Sequence, residues 1–291
     1  MDYILNQLLN GICQGAIYAL MAIGYSVVVG VTGMVTFTHG EVMMIGAFAS
    51  FYIFQYAGNN ILLGVLGSFA ASWCIGMFVY KVCYERFFNA PRHISLICTV
   101  GFSMLLKNLC QIVFGPNKQP MLDIIENTVF QLGTLRISML QIVILLIVVI
   151  LALVLTFFLN KTRAGIALRA ISQDKTAAYM MGINVKSTAM IGNCIGCGIG
   201  GVAGMLMAIY YQSVIVTMGG TMSMKAFSSS VLGGLTDVRM SAIGGLCIGI
   251  IENLGITFSS ANFRDAFAFL FLILVLIIRP QGFTKKKGAR P

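Results

Sequence analysis

Long apolar runs recur along the whole chain and are separated by short polar connections. An apolar α-helix of about 20 residues crosses the hydrocarbon core of a bilayer, whereas a membrane β-barrel would show alternating segments of about 10 residues. The pattern predicts spans at 4–31, 34–57, 61–80, 94–114, 138–160, 189–211, 241–258 and 266–279. The sequence therefore predicts an all-α polytopic membrane protein with about eight to nine transmembrane helices, and residues 1–291 form one membrane domain.

Two segments leave the number of crossings open. Segment 34–57 is interpreted as either a full span or a re-entrant element. Segment 225–236 is rich in Ser and Gly and is too short to cross as an ordinary helix. It is predicted to be a broken or half-length helix buried among the others, because irregular backbone at membrane depth must be enclosed by protein.

Composition supports a membrane location. Charged residues make up 10% of the chain, against about 25% in soluble domains. The amino terminus, "MDYILNQLLNG", has neither a basic region nor a small-residue cleavage site, so the first apolar segment is expected to be retained. The scattered cysteines include one CxxC, Cys194 and Cys197, in an apolar span. They are interpreted as packing residues, and no metal site is expected.

The distribution of Lys and Arg predicts the orientation. Segments 81–93, 160–188 and the tail from 279 carry 13 of the 19 cations, whereas 1–10 and 57–60 carry none. Cytoplasmic loops are enriched in Lys and Arg, so these three segments are expected to face the cytoplasm and the amino terminus the outside. The basic tail is interpreted as a solvated segment attracted to membrane lipid, and no nucleic-acid partner is expected.

A polar stretch between two predicted spans, "RAISQDKTAAYMMGINV" at 169–185, contains residues that start and end helices. Asp174 is a good N-cap and Gly182 a good residue to follow a helix, which predicts a helix of about two turns over 175–181. A helix this short is unstable alone in water and needs a partner surface. The partner is either the protein's own membrane domain or a soluble cytoplasmic subunit.

Small residues recur every four positions in three spans. This spacing lines one face of a helix and lets backbones approach closely in lipid. It is interpreted as either static packing or an interface that moves during transport. The series are Gly192, Gly196, Gly200 and Gly204; Gly64, Ser68, Ser72 and Gly76; and Ser241, Gly245 and Gly249.

Polar residues inside predicted spans are costly and are therefore functional candidates. His39 and Glu41 are interpreted as either a structural network or part of a pathway. Lys225, which precedes Ser228–Ser230, either meets a substrate carboxylate or extends to the membrane surface. Glu252 is the deepest acid, and it either faces the pathway or pairs with Lys107 across helices.

Six collinear segments resemble the high-affinity branched-chain amino-acid permease family of the LivH type. They are "GAIYALMAIGYSVVVGVTGMVTFTHGEVMMIGAF" (15–48), "YER" (84–86), 169–185, "MKAFSSSVLGG" (224–234), "GGLCIGIIENL" (244–254) and "LILVLIIRPQG" (272–282). The chain departs from the family at Thr36, where Asn is common, at 88–90, where the family is more aromatic and basic, and at Lys107, where an uncharged residue is frequent.

The resemblance implies a permease subunit of an ABC importer in the bacterial cytoplasmic membrane, and not an enzyme. The partners implied are a second permease subunit, which is a homologue or a copy of this chain, two cytoplasmic ATPases, an extracytoplasmic binding protein and an amino-acid substrate. The coupling loop is about 161–188, with Arg169, Ser172, Asp174, Ala178 and Gly182 as the candidate ATPase contacts. Candidate pathway residues are Thr36, His39, Glu41, Lys225, Ser229 and Glu252.

The chain itself contains no GxxxxGK[ST] phosphate loop, so no cofactor is expected on it and ATP is used by the partner subunits. Two other interpretations remain. Some relatives of this fold carry urea or short amides. A self-sufficient secondary transporter is a further alternative, but it usually has a paired set of intramembrane carboxylates and inverted repeats, whereas this sequence has few acids and no evident repeat.

Overall fold

The computed structural model describes residues 2–87, 92–121, 129–132, 135–258 and 263–279. The departures at 88–90 and the basic residues of the tail beyond 279 lie outside these ranges. Eleven α-helices are present in the described part: α1 (Asp2–Thr32), α2 (His39–Ala57), α3 (Ile61–Val79), α4 (Arg92–Phe114), α5 (Met139–Lys161), α6 (Arg163–Gln173), α7 (Lys175–Met180), α8 (Val185–Tyr210), α9 (Met218–Leu232), α10 (Val238–Phe258) and α11 (Arg264–Ile278). A π-helical turn, Tyr80–Glu85, extends α3.

The helices confirm an all-α polytopic membrane protein. Six helical stretches in the described part are long and apolar enough to span a bilayer: Ile4–Thr32, Ile61–Glu85, His93–Phe114, Met139–Lys161, Val185–Tyr210 and Val238–Thr257. The helices α9 and α11 are shorter, at 15 residues each. The predicted boundaries at 225–236 are wrong: α9 begins seven residues earlier, at Met218, and ends before Gly233 and Gly234, the second of which has a φ of +91°.

The segment predicted at 34–57 begins inside the bundle. A non-helical connection, 33–38, follows α1, and α2 starts at His39. The His39 ring lies beside Gly24, eight residues before the end of α1, and beside Gly200, near the middle of α8. The chain therefore turns back into the bundle before α2 begins, as in a re-entrant element.

Small residues explain the packing of the central helices. Gly24 and Gly196 face each other so closely that a Cβ on either would lie 2.6–2.7 Å from the carbonyl oxygen of the other. Gly192 faces Val31 and Leu168, whereas Gly200 and Gly204 face His39 and Met43 of α2. On α3, Gly64 faces Phe54 of α2 and Met205 of α8, and Gly76 faces Cys197 of α8, whereas Gly245 and Gly249 of α10 face α1. All three series thus lie at helix–helix contacts, as their spacing predicts.

Two segments of the chain, one that begins with α1 and one that begins with α8, pack against corresponding neighbouring helices. The helix α1 packs on α10 and α8, and α8 packs on α3 and α1. Both α1 and α8 end in a short non-helical connection, which leads into α2 and α9 respectively, and α2 and α9 pack on each other. Because α1 and α8 are antiparallel, the two segments run in opposite directions, as in an inverted repeat. The sequence alone did not reveal this repeat.

The peripheral helices α4 and α5 expose large apolar side chains on the surface of the bundle. Leu146, Leu153 and Phe157 of α5 are exposed, as are Ile97 and Ile112 of α4. These apolar side chains form the surface expected to face lipid or another subunit. At one end of the bundle, β1 (Gln119–Pro120) pairs antiparallel with β4 (Ser213–Val214), and β2 (Val129–Leu132) with β3 (Leu135–Ser138).

Candidate functional site

An ion pair between α9 and α10 lies at the centre of the candidate site. Lys225 Nζ lies 2.9 Å from Glu252 Oε1, and the side chains are 7% and 0% exposed. Burying either charge alone would be costly, so each stabilises the other inside the bundle. The alternative in which Glu252 pairs with Lys107 is therefore wrong, since Glu252 pairs with Lys225 and Arg264. The interpretation of Lys225 as a lysine that extends to the membrane surface is also wrong.

Side chains of α1 complete the inner part of the site. Lys225 Nζ donates to the Tyr18 hydroxyl at 2.7 Å, and this hydroxyl donates to Glu252 Oε1 at 3.1 Å. Gln14 Nε2 donates to the same carboxylate oxygen at 3.2 Å, and Gln14 Oε1 accepts from Asn253 Nδ2 at 2.7 Å. Gln14 and Tyr18 share one face of α1 because they are four residues apart.

The start of α11 forms the outer part. Asp265 Oδ1 lies 3.0 Å from Lys225 Nζ, and Arg264 Nε lies 3.3 Å from Glu252 Oε1. An Arg264 NH1 group also donates to the Tyr211 hydroxyl at 2.6 Å. The Asp265 side chain is 53% exposed, so the cluster extends from the buried pair to the surface. Its four charged groups alternate in sign and sum to zero.

One acceptor in this cluster lacks a partner. Glu252 Oε2 is buried and has no hydrogen bond within the described residues. The sequence interpretation identified Lys225 and Glu252 but missed Gln14, Tyr18, Tyr211, Arg264 and Asp265. Two signals were available: an amide and a phenol four residues apart on an apolar helix, and an Arg–Asp pair at the start of a predicted span.

A second polar group surrounds the start of α2. His39 is buried, packs edge-on against Tyr25 with ring centroids 5.6 Å apart, and has no hydrogen bond at either ring nitrogen in the described part of the protein. Glu41 Oε1 lies 3.5 Å from Ser103 Oγ, and its carboxylate lies against Gly219 in the first turn of α9. A negative charge there favours the helix, since helix amino termini carry partial positive charge.

The remaining pathway candidates lie in hydroxyl-rich contacts. The Thr36 hydroxyl lies 2.8 Å from that of Thr38. Ser229 is buried, and its Oγ has no partner among the described residues. The neighbouring Ser230 Oγ lies 2.8 Å from Ser26 Oγ, which donates to Ser241 at 2.6 Å. These hydroxyls join α9 to α1 and α10.

The polar stretch at 169–185 forms a capped helix, as predicted. Asp174 Oδ1 accepts from the backbone N–H groups of Thr176 and Ala177 at 2.8 and 3.1 Å, α7 ends at Met180, and Gly182 has a φ of +81°. Ala178 faces inward and is buried near Ile171 and Val185.

The outward side of α7 and the following turn expose Tyr179, Met180 and Met181, which are 72%, 79% and 82% exposed. At its start, Lys175 Nζ donates to the Thr32 carbonyl at 2.6 Å, so α7 is attached to the end of α1. Arg169 and Ser172 of α6 instead line a cavity next to α1 and α5. The structure therefore separates the candidate coupling residues into two surfaces.

Comparisons with known proteins identify the family. The family described as branched-chain amino acid transport system / permease component matches residues 7–278. The chain is 34% identical to the high-affinity branched-chain amino acid transport system permease protein LivH of Escherichia coli (strain K12), over 96% of this chain and 95% of the relative.

Other relatives agree. The chain is 32% identical to the high-affinity branched-chain amino acid transport system permease protein BraD of Pseudomonas aeruginosa, over 96% of this chain and 94% of the relative. The probable branched-chain amino acid transport permease protein LivH of Methanocaldococcus jannaschii is 26% identical, over 94% and 91%. No solved structure matches the chain. The chain belongs to the family of permease components of branched-chain amino acid transport systems.

Proposed function

We propose that this chain is the permease subunit of an ABC importer that carries leucine, isoleucine and valine across the bacterial cytoplasmic membrane. The observation that carries the proposal is the family match over 7–278, together with relatives named as branched-chain amino acid permeases across almost the whole chain. In this proposal a second permease subunit completes the pathway, two ATPases supply energy, and a binding protein delivers the amino acid.

The alternating cluster suits an amino-acid zwitterion. A carboxylate that approaches Lys225 can replace Asp265, the most exposed member, and an ammonium group can use the free oxygen of Glu252. Such an exchange keeps every charge paired, which is required where desolvation is costly. We therefore infer that Lys225 and Glu252 line the route, with Thr36 of the connection between α1 and α2, His39 and Glu41 of α2, and Ser229 of α9 further along it.

Energy is proposed to enter through α7. The exposed side chains Tyr179, Met180 and Met181 form an apolar tip that suits a pocket on an ATPase, since Met adapts to varied surfaces. Motion of α7 would reach α1 through the bond from Lys175 to Thr32. The helix α1 carries Tyr18, which contacts Lys225 and Glu252, about 20 Å away along the helix axis. The 31-residue helix is thus a rigid connection between the two sites.

In the proposed orientation α6 and α7 face the cytoplasm and the amino terminus faces outward, as the loop charges predict. The tail lies inside, and α2 and α9 are counted among the eight to nine transmembrane elements although each begins within the bundle. Residues 1–291 act as one permease domain, with 161–188 as the coupling loop.

Transport assays test the proposal. The chain is co-expressed with its partner permease and two ATPases and reconstituted in proteoliposomes with the binding protein. Radiolabelled leucine uptake should require ATP, the binding protein and this chain. Uptake of labelled urea or acetamide in place of leucine would favour the amide alternative. Leucine uptake driven by an ion gradient without ATPases would favour a secondary transporter, which the inverted repeat alone does not exclude.

A further inference from the structure

A cavity of about 550 Å³ lies apart from the charged cluster, at the end of the bundle near α6. Its walls come from α1, α5, α6 and the turn between α9 and α10. This volume is within the range of pockets that hold small ligands. The transport route proposed above does not use it.

The cavity presents polar groups that lack partners. Arg169 from α6 and Arg239 from the start of α10 both line it and are exposed at its mouth, and neither guanidinium group makes a hydrogen bond or ion pair within the described residues. The amide side chains of Asn160 and Gln173 also line the cavity and are likewise without hydrogen bonds in that part of the chain.

The charge of the cavity favours an anion. Its single carboxylate, Asp237, already accepts from the backbone N–H groups of Arg239 and Met240 at 3.0 and 3.3 Å. Two arginines against one carboxylate leave a net positive charge. Guanidinium groups bind phosphate oxygens through paired hydrogen bonds, and the two amides add further donors.

We propose that this cavity binds the phosphate of an anionic phospholipid, such as phosphatidylglycerol. The chemistry of the walls fits any phosphate group, whereas the surroundings favour a lipid. The helix α5 reaches the cavity through Thr156 and Asn160, and Leu153, Val154 and Phe157 just before it along α5 are 64%, 59% and 66% exposed. An acyl chain can lie along this apolar face while the headgroup occupies the cavity. Basic pockets between transmembrane helices bind anionic headgroups in this way.

Lipid retention by the full-length chain tests the proposal. The protein is reconstituted in nanodiscs of phosphatidylethanolamine and phosphatidylglycerol, transferred to detergent and examined by native mass spectrometry for bound phosphatidylglycerol. The double variant R169Q/R239Q should bind it about 30-fold more weakly, because each arginine near an anionic headgroup contributes roughly a fivefold factor. Arg163 and Lys186, which are exposed and do not line the cavity, provide the matched double control R163Q/K186Q.

The outcomes separate the two sources of phosphate. Retention that the control keeps and R169Q/R239Q loses supports the proposal. Equal retention in the two double variants overturns it. Displacement of the lipid by millimolar inorganic phosphate would also overturn it, and would make the cavity a site for free phosphate. Binding is measured without ATPases, so a failed transport proposal leaves the result unaffected.

Discussion

Lys225 on α9 and Glu252 on α10 form a buried ion pair 2.9 Å long, and it connects two helices whose sequences give no direct indication that they meet there. Tyr18 of α1 contacts both partners. The pair is therefore a junction of three helices, and changes on either side of it should affect both assembly and transport.

Removing one partner of this pair should be worse than removing both. Glu252→Gln leaves Lys225 with Asp265 as its counter-charge, and Lys225→Met leaves Glu252 with Arg264. Losing one partner of a buried pair costs about 3–5 kcal/mol, less where a second partner remains. We expect the melting temperature in detergent to fall for each single variant and to recover in part in Lys225→Met/Glu252→Gln.

Lys118 provides the control for this comparison, since it is exposed and Lys118→Met should leave the melting temperature unchanged. A double variant no more stable than the weaker single variant would mean that the two charges do not depend on each other. If the two single variants are stable but do not transport leucine, the ion pair acts in transport and contributes little to folding.

The exposed tip of α7 should matter for coupling and not for folding. Met180→Asp places a charge on a side chain that is 79% exposed, so the chain should insert and remain stable. ATP-driven uptake and co-purification of the ATPases should both fall sharply, by about tenfold if one anchor of a small interface is lost. The matched comparison is Thr176→Asp, because Thr176 is also exposed on α7 and lies on the same face one turn before the tip, so a smaller loss there would locate the ATPase contact at the tip.

Ala178 should matter for the folding of the α6–α7 segment. It is 4% exposed and buried near Ile171 and Val185, so Ala178→Arg should destabilise the α6–α7 segment itself. Increased proteolysis between α6 and α8 would report this loss. Uncoupling by Ala178→Arg without increased proteolysis would contradict the inward orientation of this side chain.

Lys175 should transmit motion of α7 to α1. Its Nζ donates to the Thr32 carbonyl at 2.6 Å, where the end of a helix favours a positive charge. Lys175→Met keeps most of the apolar stem and removes the donor. We expect ATPase binding to persist while leucine uptake per ATP hydrolysed falls, and Lys175→Arg should restore part of the ratio. An unchanged ratio in Lys175→Met would exclude this contact from the coupling route.

The sequence predicted features that depend on local chemistry. Asp174 and Gly182 defined α7 to within one residue, because an N-cap and a left-handed residue act on their own turn. Small residues every four positions predicted helix contacts, because this spacing places them on one face of a helix. The partner of Glu252 could not be predicted, since Lys225 and Lys107 are equally plausible cations until the helices are placed. The inverted repeat was also not predicted, because it is defined by which helices pack on each other and not by similar residues in the two segments.

The four glycines of α8 should differ in how well they tolerate a methyl group, although the sequence pattern treats them alike. At Gly204 a Cβ would meet the backbone carbonyl of Met43, with the carbonyl carbon at 2.8 Å. At Gly200 the nearest atoms are His39 Nε2 at 3.0 Å and Met43 Cε at 3.3 Å, and side chains can move where a backbone cannot. Gly204→Ala should therefore lower stability by about 1–3 kcal/mol, and Gly200→Ala by less.

At Gly101 on α4 a Cβ meets nothing within 4 Å, so Gly101→Ala should be neutral or stabilising by up to about 1 kcal/mol. Melting temperatures of the three purified variants give the order directly, and a Gly204→Ala protein as stable as Gly101→Ala would show that α8 and α2 do not pack this closely.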